Sequence, residues 1–371
     1  MASPDVIVIG GGLHGCSAAL HLARRGARVT VIEKDHVGRH ASGVNAGGVR
    51  RLGRDLAEVP LSVAAMELWH RIVDLVDDDC GFECHGQVKV AESDSELEIL
   101  RNRVTALEQL GFAHEELIDR RELREIVPAI AEHCVGAIVC RRDGAANPYR
   151  TTLAFRRKAE SIGVSFREGV AARTLARVGA RWRVDTTDGP LEAPVVVNCA
   201  GAWADRIAAQ LGEPVPLRPF APMLMITAPL PQFIEPVLGA AARPLSFKQL
   251  RNGTVLIGGG YPGALDRDSN WTDIDFAGLA MSARTVWELF PVMRGAQIVR
   301  CWAGIEARMP DEIPVIGPSP THEGIFHAFG FSGHGFQLGP IVGSILAELI
   351  VGGQTNLPIE AFRIARFASA P

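Results

Sequence analysis

A chain of 371 residues, 47% hydrophobic and 22% charged, is long enough for one large two-lobed unit or two domains with cores of their own. Its formal charge of −4, with Lys and Arg scattered rather than massed, leaves no footprint for nucleic acid or an anionic membrane surface, so a small substrate is expected. Seven cysteines occur without a CxxC pair, and Cys80 and Cys84 lack a matching second pair, which argues against a metal site and fits a reducing compartment.

Met1 to Asp5 runs straight into the apolar run Val6 to Ile9, without the charged and apolar regions of a signal peptide. That run reads as a strand ending in Gly10-Gly11-Gly12-Leu13-His14-Gly15, and Cys16 to Ala23 continues as an amphipathic helix that stops near Gly26. A second strand, Arg28 to Ile32, delivers Glu33 and Lys34 and completes a βαβ unit of about 30 residues. The glycines act differently. Gly10 allows a tight turn, Gly12 lets backbone approach a pyrophosphate, and Gly15 lets helix and strand pack closely. Leu13 and His14 lie in that turn, at the positive end of the helix. Glu33 suits a ribose diol and disfavours a 2′-phosphate, so NADP is excluded more than NAD.

Further along, Arg39 to Arg50 is small, polar and glycine-rich, with Ala41, Ser42, Ala46, Gly47 and Gly48 suited to wrapping a flat ring. A charged, helix-rich stretch runs from Glu92 to Glu132; Arg150 to Ser161 reads as a helix and Val164 to Val170 as a strand. Val195 to Cys199 reads as a buried strand that breaks through Ala200 and Gly201 into a helix carrying Trp203. A Pro-rich stretch spans Pro214 to Pro262, where Gly258 to Gly260 reads as a strand end or turn. Finally, Phe329 to Pro340 contains Ser332-Gly333-His334-Gly335-Phe336-Gln337-Leu338 and opens an apolar helix, Ile341 to Val351, whose length suits a buried element rather than a membrane span. A cytoplasmic protein is expected.

The amino-terminal fingerprint, the Arg39–Arg50 segment, the strand to Gly201, Asp311 to Gly317 and the Ser332–Gly335 turn together resemble the D-amino-acid oxidase superfamily, which includes glycine oxidase and sarcosine oxidases. The flavin subunits of heteromeric sarcosine, hydroxyproline and opine oxidoreductases look especially similar. The resemblance implies an α/β fold: a doubly wound Rossmann-type FAD domain of discontinuous segments (1–85, 145–215 and 305–371) and an α+β substrate domain with a mostly antiparallel sheet (86–144 and 216–304). It also implies that Val170 offers backbone groups to the adenine and that Gly333 to Leu338 form the last cofactor contact.

The chemistry so implied is oxidation of the C–N bond of an amino acid or N-substituted amino acid, with a cation for the substrate carboxylate. Arg50, Arg51 and Arg308 are candidates, Arg50 favoured because sarcosine oxidases resemble this sequence there. Where the glycine oxidase pattern has its carboxylate Arg, this chain has Glu306, which implies a substrate with an extra basic group or no such role, and puts simple glycine-like substrates in doubt. His334 is a candidate proton acceptor, and Lys248 is a candidate neighbour of the flavin face. The resemblance implies that a covalent flavin would be attached through a Cys shortly before the Pro310-Asp311 pair; no Cys lies between Trp302 and Pro310, so the FAD is expected to be non-covalent. Two other readings stand beside this one: a flavin-holding subunit that passes electrons to a partner protein, and an NAD-dependent dehydrogenase.

Overall fold

The computed structural model describes residues 3–368. Six strands form the first sheet, in the order Val315–Pro318, Ile325–Phe329, Val195–Asn198, Val6–Ile9, Val29–Glu33 and Ser165–Glu168. All neighbours are parallel except the edge strand Val315–Pro318, which runs antiparallel to Ile325–Phe329. The alternation of the first strand sorts its two faces. Val6 and Val8 pack with the helices Leu13–Arg24 and Gly335–Ala347, whereas Ile7 and Ile9 pack with Trp182, Val184 and Ile207. Helices therefore cover one face. A three-stranded antiparallel meander (Ala172–Val178, Arg181–Thr186, Gly189–Ala193) and the helix Ala204–Gln210 cover the other.

The second sheet has eight strands, in the order Ile298–Ala303, Pro222–Thr227, Val255–Pro262, Ser246–Gln249, Val237–Ala240, Gln87–Ala91, Gly136–Cys140 and Glu116–Asp119. Only the Val237–Ala240 and Gln87–Ala91 pair is parallel. Its core holds Val88, Val90, Met223, Phe247, Ile257 and Phe290. The chain is thus a mostly parallel α/β layer with a mostly antiparallel layer inserted into it.

Three local expectations need correction. The first helix begins at Leu13 and takes Gly15 into its first turn. Gly258 to Gly260 is not a turn but lies inside the strand Val255–Pro262, where the missing side chains allow close backbone approach. The carboxyl-terminal helix begins at Gly335, not Ile341, with Pro340 in its sixth position. Pro340 removes only the bond that the Phe336 carbonyl would have accepted, close to the helix start. A π-turn prolongs this helix to Gly352, and the resulting 18 residues, with a mean hydropathy of 1.5, have the length and apolarity of a membrane span. They are, however, packed closely on the first helix: a β-carbon on Gly339 would lie 2.5 Å from Leu13, and one on Gly343 2.2 Å from Ser17 Oγ.

Candidate active site

A cleft of about 1160 Å³ runs from the carboxyl ends of Val6–Ile9 and Val195–Asn198 to the strands Gln87–Ala91 and Val237–Ala240 of the second sheet. Those two ends flank the point where the strand order reverses, the place where open α/β sheets bind ligands. The volume exceeds the range of about 300–1,000 Å³ usual for a single small ligand, leaving room for a dinucleotide and a substrate together.

The glycine turn is dictated by contact. A β-carbon on Gly10, whose φ is +109°, would lie 2.3 Å from the Cys199 carbonyl oxygen; one on Gly15 would lie 1.9 Å from the Gly10 carbonyl oxygen. Gly12 faces Ser42, whose Oγ accepts the Leu13 N–H at 2.9 Å. Glu33 accepts the Gly11 N–H at 2.7 Å and the Asp35 N–H at 2.9 Å, so it braces the turn while facing the cleft. Burial raises its pKa, and the two amides oppose that shift. Val170 lines the cleft too, but its N–H is already donated to the Glu33 carbonyl at 2.8 Å, which leaves only its carbonyl for a ligand.

The segments that lie far apart in the chain meet here. Lys34 sets its ammonium 3.8 Å over the Trp203 ring, and His40, bonded to Asp35 at 2.8 Å, tilts against the same indole. Arg39, Ala41, Ser42, Ala46, Gly47, Ala200 and His14 also line the cleft. Gly48, Gly201 and Gly333 line it as well, and no atom stands within 4 Å of where their β-carbons would be. Free backbone approach at three separated glycines, a helix amino terminus and a carboxylate at the second strand suit FAD.

Among the candidate reacting groups, Arg50 lines the cleft and its Nη1 donates to the Leu52 carbonyl at 2.8 Å. Arg51 is withdrawn: its Nε lies 3.1 Å from Asp143 Oδ1, and Asp143 also accepts the N–H groups of Arg51 and Leu52. Arg308 reaches the cleft but is exposed, paired with Glu312 at 2.5 Å, and set over the Phe220 ring. His334 lines the cleft with Nδ1 3.2 Å from Glu58 Oε2; burial holds its pKa down, against the pull of Glu58. Glu306 faces the cleft, and burial pushes its carboxyl up to about 7, with the Gly333 amide and Arg308 opposing.

Other expected residues stand elsewhere. Lys248 does not line the main cleft; it lies behind the wrap, its Nζ 3.1 Å from where a Gly47 β-carbon would be, and burial lowers its pKa to about 8. Gly335 and Phe336 line the cleft, but the side chains of Gln337 and Leu338 do not, because the helix starts early and turns them into the core. Gln337 instead accepts from Arg54 Nη2 at 3.2 Å and donates to the Ser62 carbonyl at 2.8 Å. Sequence reasoning missed Arg54, which is fully buried and joins the Arg50 carbonyl (3.0 Å) to the His334 carbonyl (2.9 Å). It also missed Lys89, which reaches the cleft from the second sheet. The charged residue in the alternating run Gln87-Val88-Lys89-Val90 was the available signal.

A family model described as FAD dependent oxidoreductase matches residues 5–349. Hydrogen cyanide synthase subunit HcnC of Pseudomonas aeruginosa is 26% identical over 413 residues, covering 99% of this chain and 97% of the relative. Glycine oxidase of Geobacillus kaustophilus is 27% identical over 374 residues, covering 98% and 97%. Among solved structures, L-proline dehydrogenase from P. horikoshii superposes with a TM-score of 0.92 at 29% identity, over 99% of this chain and 98% of that one.

Proposed function

Since the chain belongs to the DAO family of FAD-dependent oxidoreductases, we propose that it oxidises the C–N bond of an amino acid or N-substituted amino acid to an imine. FAD, when bound, supplies the acceptor for the α-hydrogen and its electron pair. Gly10 to Gly15, Glu33 and Lys34 would hold the ADP half; Arg39 to Gly48 and Gly333 to Phe336 would hold the flavin half. On this reading residues 1–85, 145–215 and 305–371 form the FAD domain and 86–144 and 216–304 the substrate domain. We read the cofactor as dissociable and the protein as cytoplasmic.

The chain's own groups then divide the work. The Arg50 fork binds the substrate carboxylate. The first-turn amides of the Gly335 helix aim positive dipole into the cleft. His334, kept neutral by burial, is available to hold a proton from the substrate amine. Arg308 drops out as carboxylate ligand because Glu312 already occupies it. Lys248 is a buried charge behind Gly47 rather than a substrate contact. The observation that carries this reading is Arg50: a guanidinium in the cleft with no carboxylate partner among the described residues.

The test is anaerobic addition of a panel of D-amino acids, sarcosine, proline derivatives and opines to the purified holoprotein. Bleaching of the flavin bands by members of one class supports the proposal; bands that no amine bleaches overturn it. Acid precipitation should leave the yellow colour in the supernatant.

A second reading, a flavin-holding subunit, is favoured by the surface of the second layer. The stretch 276–299 exposes Phe276, Met281, Trp287, Val292, Ile298 and Val299, and Ile298–Ala303 is an edge strand with one free side. One relative, the hydrogen cyanide synthase protein, is itself named a subunit. This reading predicts that the isolated chain binds FAD yet is reduced slowly or passes electrons poorly to oxygen, whereas an independent oxidase turns over in air.

A further inference from the structure

Charge accounting at the inner end of the cleft leaves two cations over. Asp143 is taken by Arg51 and by two backbone amides. Glu115 accepts from Nε and Nη2 of Arg103, at 2.7 and 2.8 Å, and from the Gly53 N–H at 2.8 Å. Glu58 stands 3.9 Å from Arg54 and 3.2 Å from His334 Nδ1. Each carboxylate therefore has an arginine within 4 Å, and Glu58 and Asp143 act on Arg50 only at longer range.

Arg50 and Lys89 have none. Arg50 meets only a carbonyl, and Lys89 Nζ has neither a hydrogen bond nor an ion pair among the described residues. Both line the cleft and both crowd Gly53, where a β-carbon would stand 3.7 Å from Arg50 Nη1 and 3.8 Å from Lys89 Nζ. Lys89 sits mid-strand, so the sheet fixes its root, and its cross-strand neighbour Gly239 has no side chain to block the space in front of it. Burial, then Arg50 and Arg103, depress the Lys89 pKa, as expected of a cation awaiting a counter-charge. Partly buried cations left unpaired are costly.

A single α-carboxylate neutralises one of these cations. We propose that the substrate carries a second carboxylate, with Arg50 holding the α-carboxylate and Lys89 the other, so that the substrate class is a dicarboxylic amino acid. This inference rests on the amino-acid reading above and narrows it.

Succinate and butyrate serve as non-reacting probes of equal carbon count, titrated into holoprotein by calorimetry. Wild type is expected to bind succinate at least about tenfold more tightly than butyrate, the scale of one charge-assisted contact. In Lys89→Met that ratio should collapse toward one, and in Lys89→Arg it should be retained. A ratio near one in wild type, with both cations sharing one carboxylate, overturns the inference, as does a ratio that survives in Lys89→Met. Anaerobic reduction separates the two failures: if monocarboxylic amino acids bleach the flavin as readily as dicarboxylic ones, only this inference falls. If no amine bleaches it, the proposed function falls with it.

Discussion

On the proposed function, Arg50 and Glu306 are the single side chains whose replacement should alter the chemistry of the cleft. Arg50→Met should raise the half-saturating concentration of any carboxylate substrate by roughly ten- to hundredfold, the scale of about 1.5–3 kcal/mol for a hydrogen bond to a charged group. Flavin content should stay unchanged, checked by the ratio of flavin to protein absorbance. Glu306 gives a pH signature. Its carboxyl titrates near 7 in the folded protein, above the ordinary carboxylate value, so the folded state binds the proton more tightly than the unfolded one. The stabilisation it gives is complete below the ordinary value and is lost as pH rises toward 7. Urea midpoints of wild type should therefore fall relative to Glu306→Gln between about pH 5 and 7; parallel curves would show that this carboxyl does not titrate there. Neither side chain's surroundings were legible in the sequence. Arg50, Arg51 and Arg54 lie within five residues of one another, yet one faces the cleft, one is paired with Asp143 and one is buried against Gln337.

At the scale of elements, the contact between the first and the carboxyl-terminal helices positions two of the turns that line the cleft. Gly339 and Gly343 let the second helix lie against Leu13 and Ser17, and the same two helices carry the glycine turn and the Gly333–Phe336 turn at their amino ends. Gly343→Val should cost about 1–3 kcal/mol or more as overpacking, lowering the melting temperature, and should also reduce the flavin retained through purification. A variant that melted early but kept its flavin would uncouple packing from the site. Gly15→Ala tests the turn itself: with a β-carbon 1.9 Å from a backbone oxygen, the strand–helix distance must grow, and the purified protein should be colourless. The βαβ unit was readable because strand alternation, glycine spacing and Glu33 all lie within about 30 residues. The meander from Ala172 to Ala193 is not legible although Arg181-Trp182-Arg183-Val184 alternates, since many of its outward residues are charged and its buried residues Trp182 and Val184 pack on Ile7 and Ile9, far away in the chain.

For the whole molecule, the cleft lies between the two layers, so cofactor binding should couple their stability. FAD at about 100 times its dissociation constant adds about 2.7 kcal/mol to the folded state. Scanning calorimetry should then show a higher melting temperature with FAD, and the transitions of the two layers should merge. Two transitions that both ignore added FAD would contradict a shared site. By itself the sequence determined the dinucleotide fingerprint, the α/β class, the FAD-dependent family resemblance and the residues that could serve as cations, because these depend on local spacing and residue type. Only the tertiary structure decided which cations remain without a partner, where the last helix begins, that Gln337 and Leu338 turn inward, and that Lys89 faces Arg50 across Gly53. Charge pairing and side-chain direction depend on neighbours far away in the chain, and only folding brings those neighbours together.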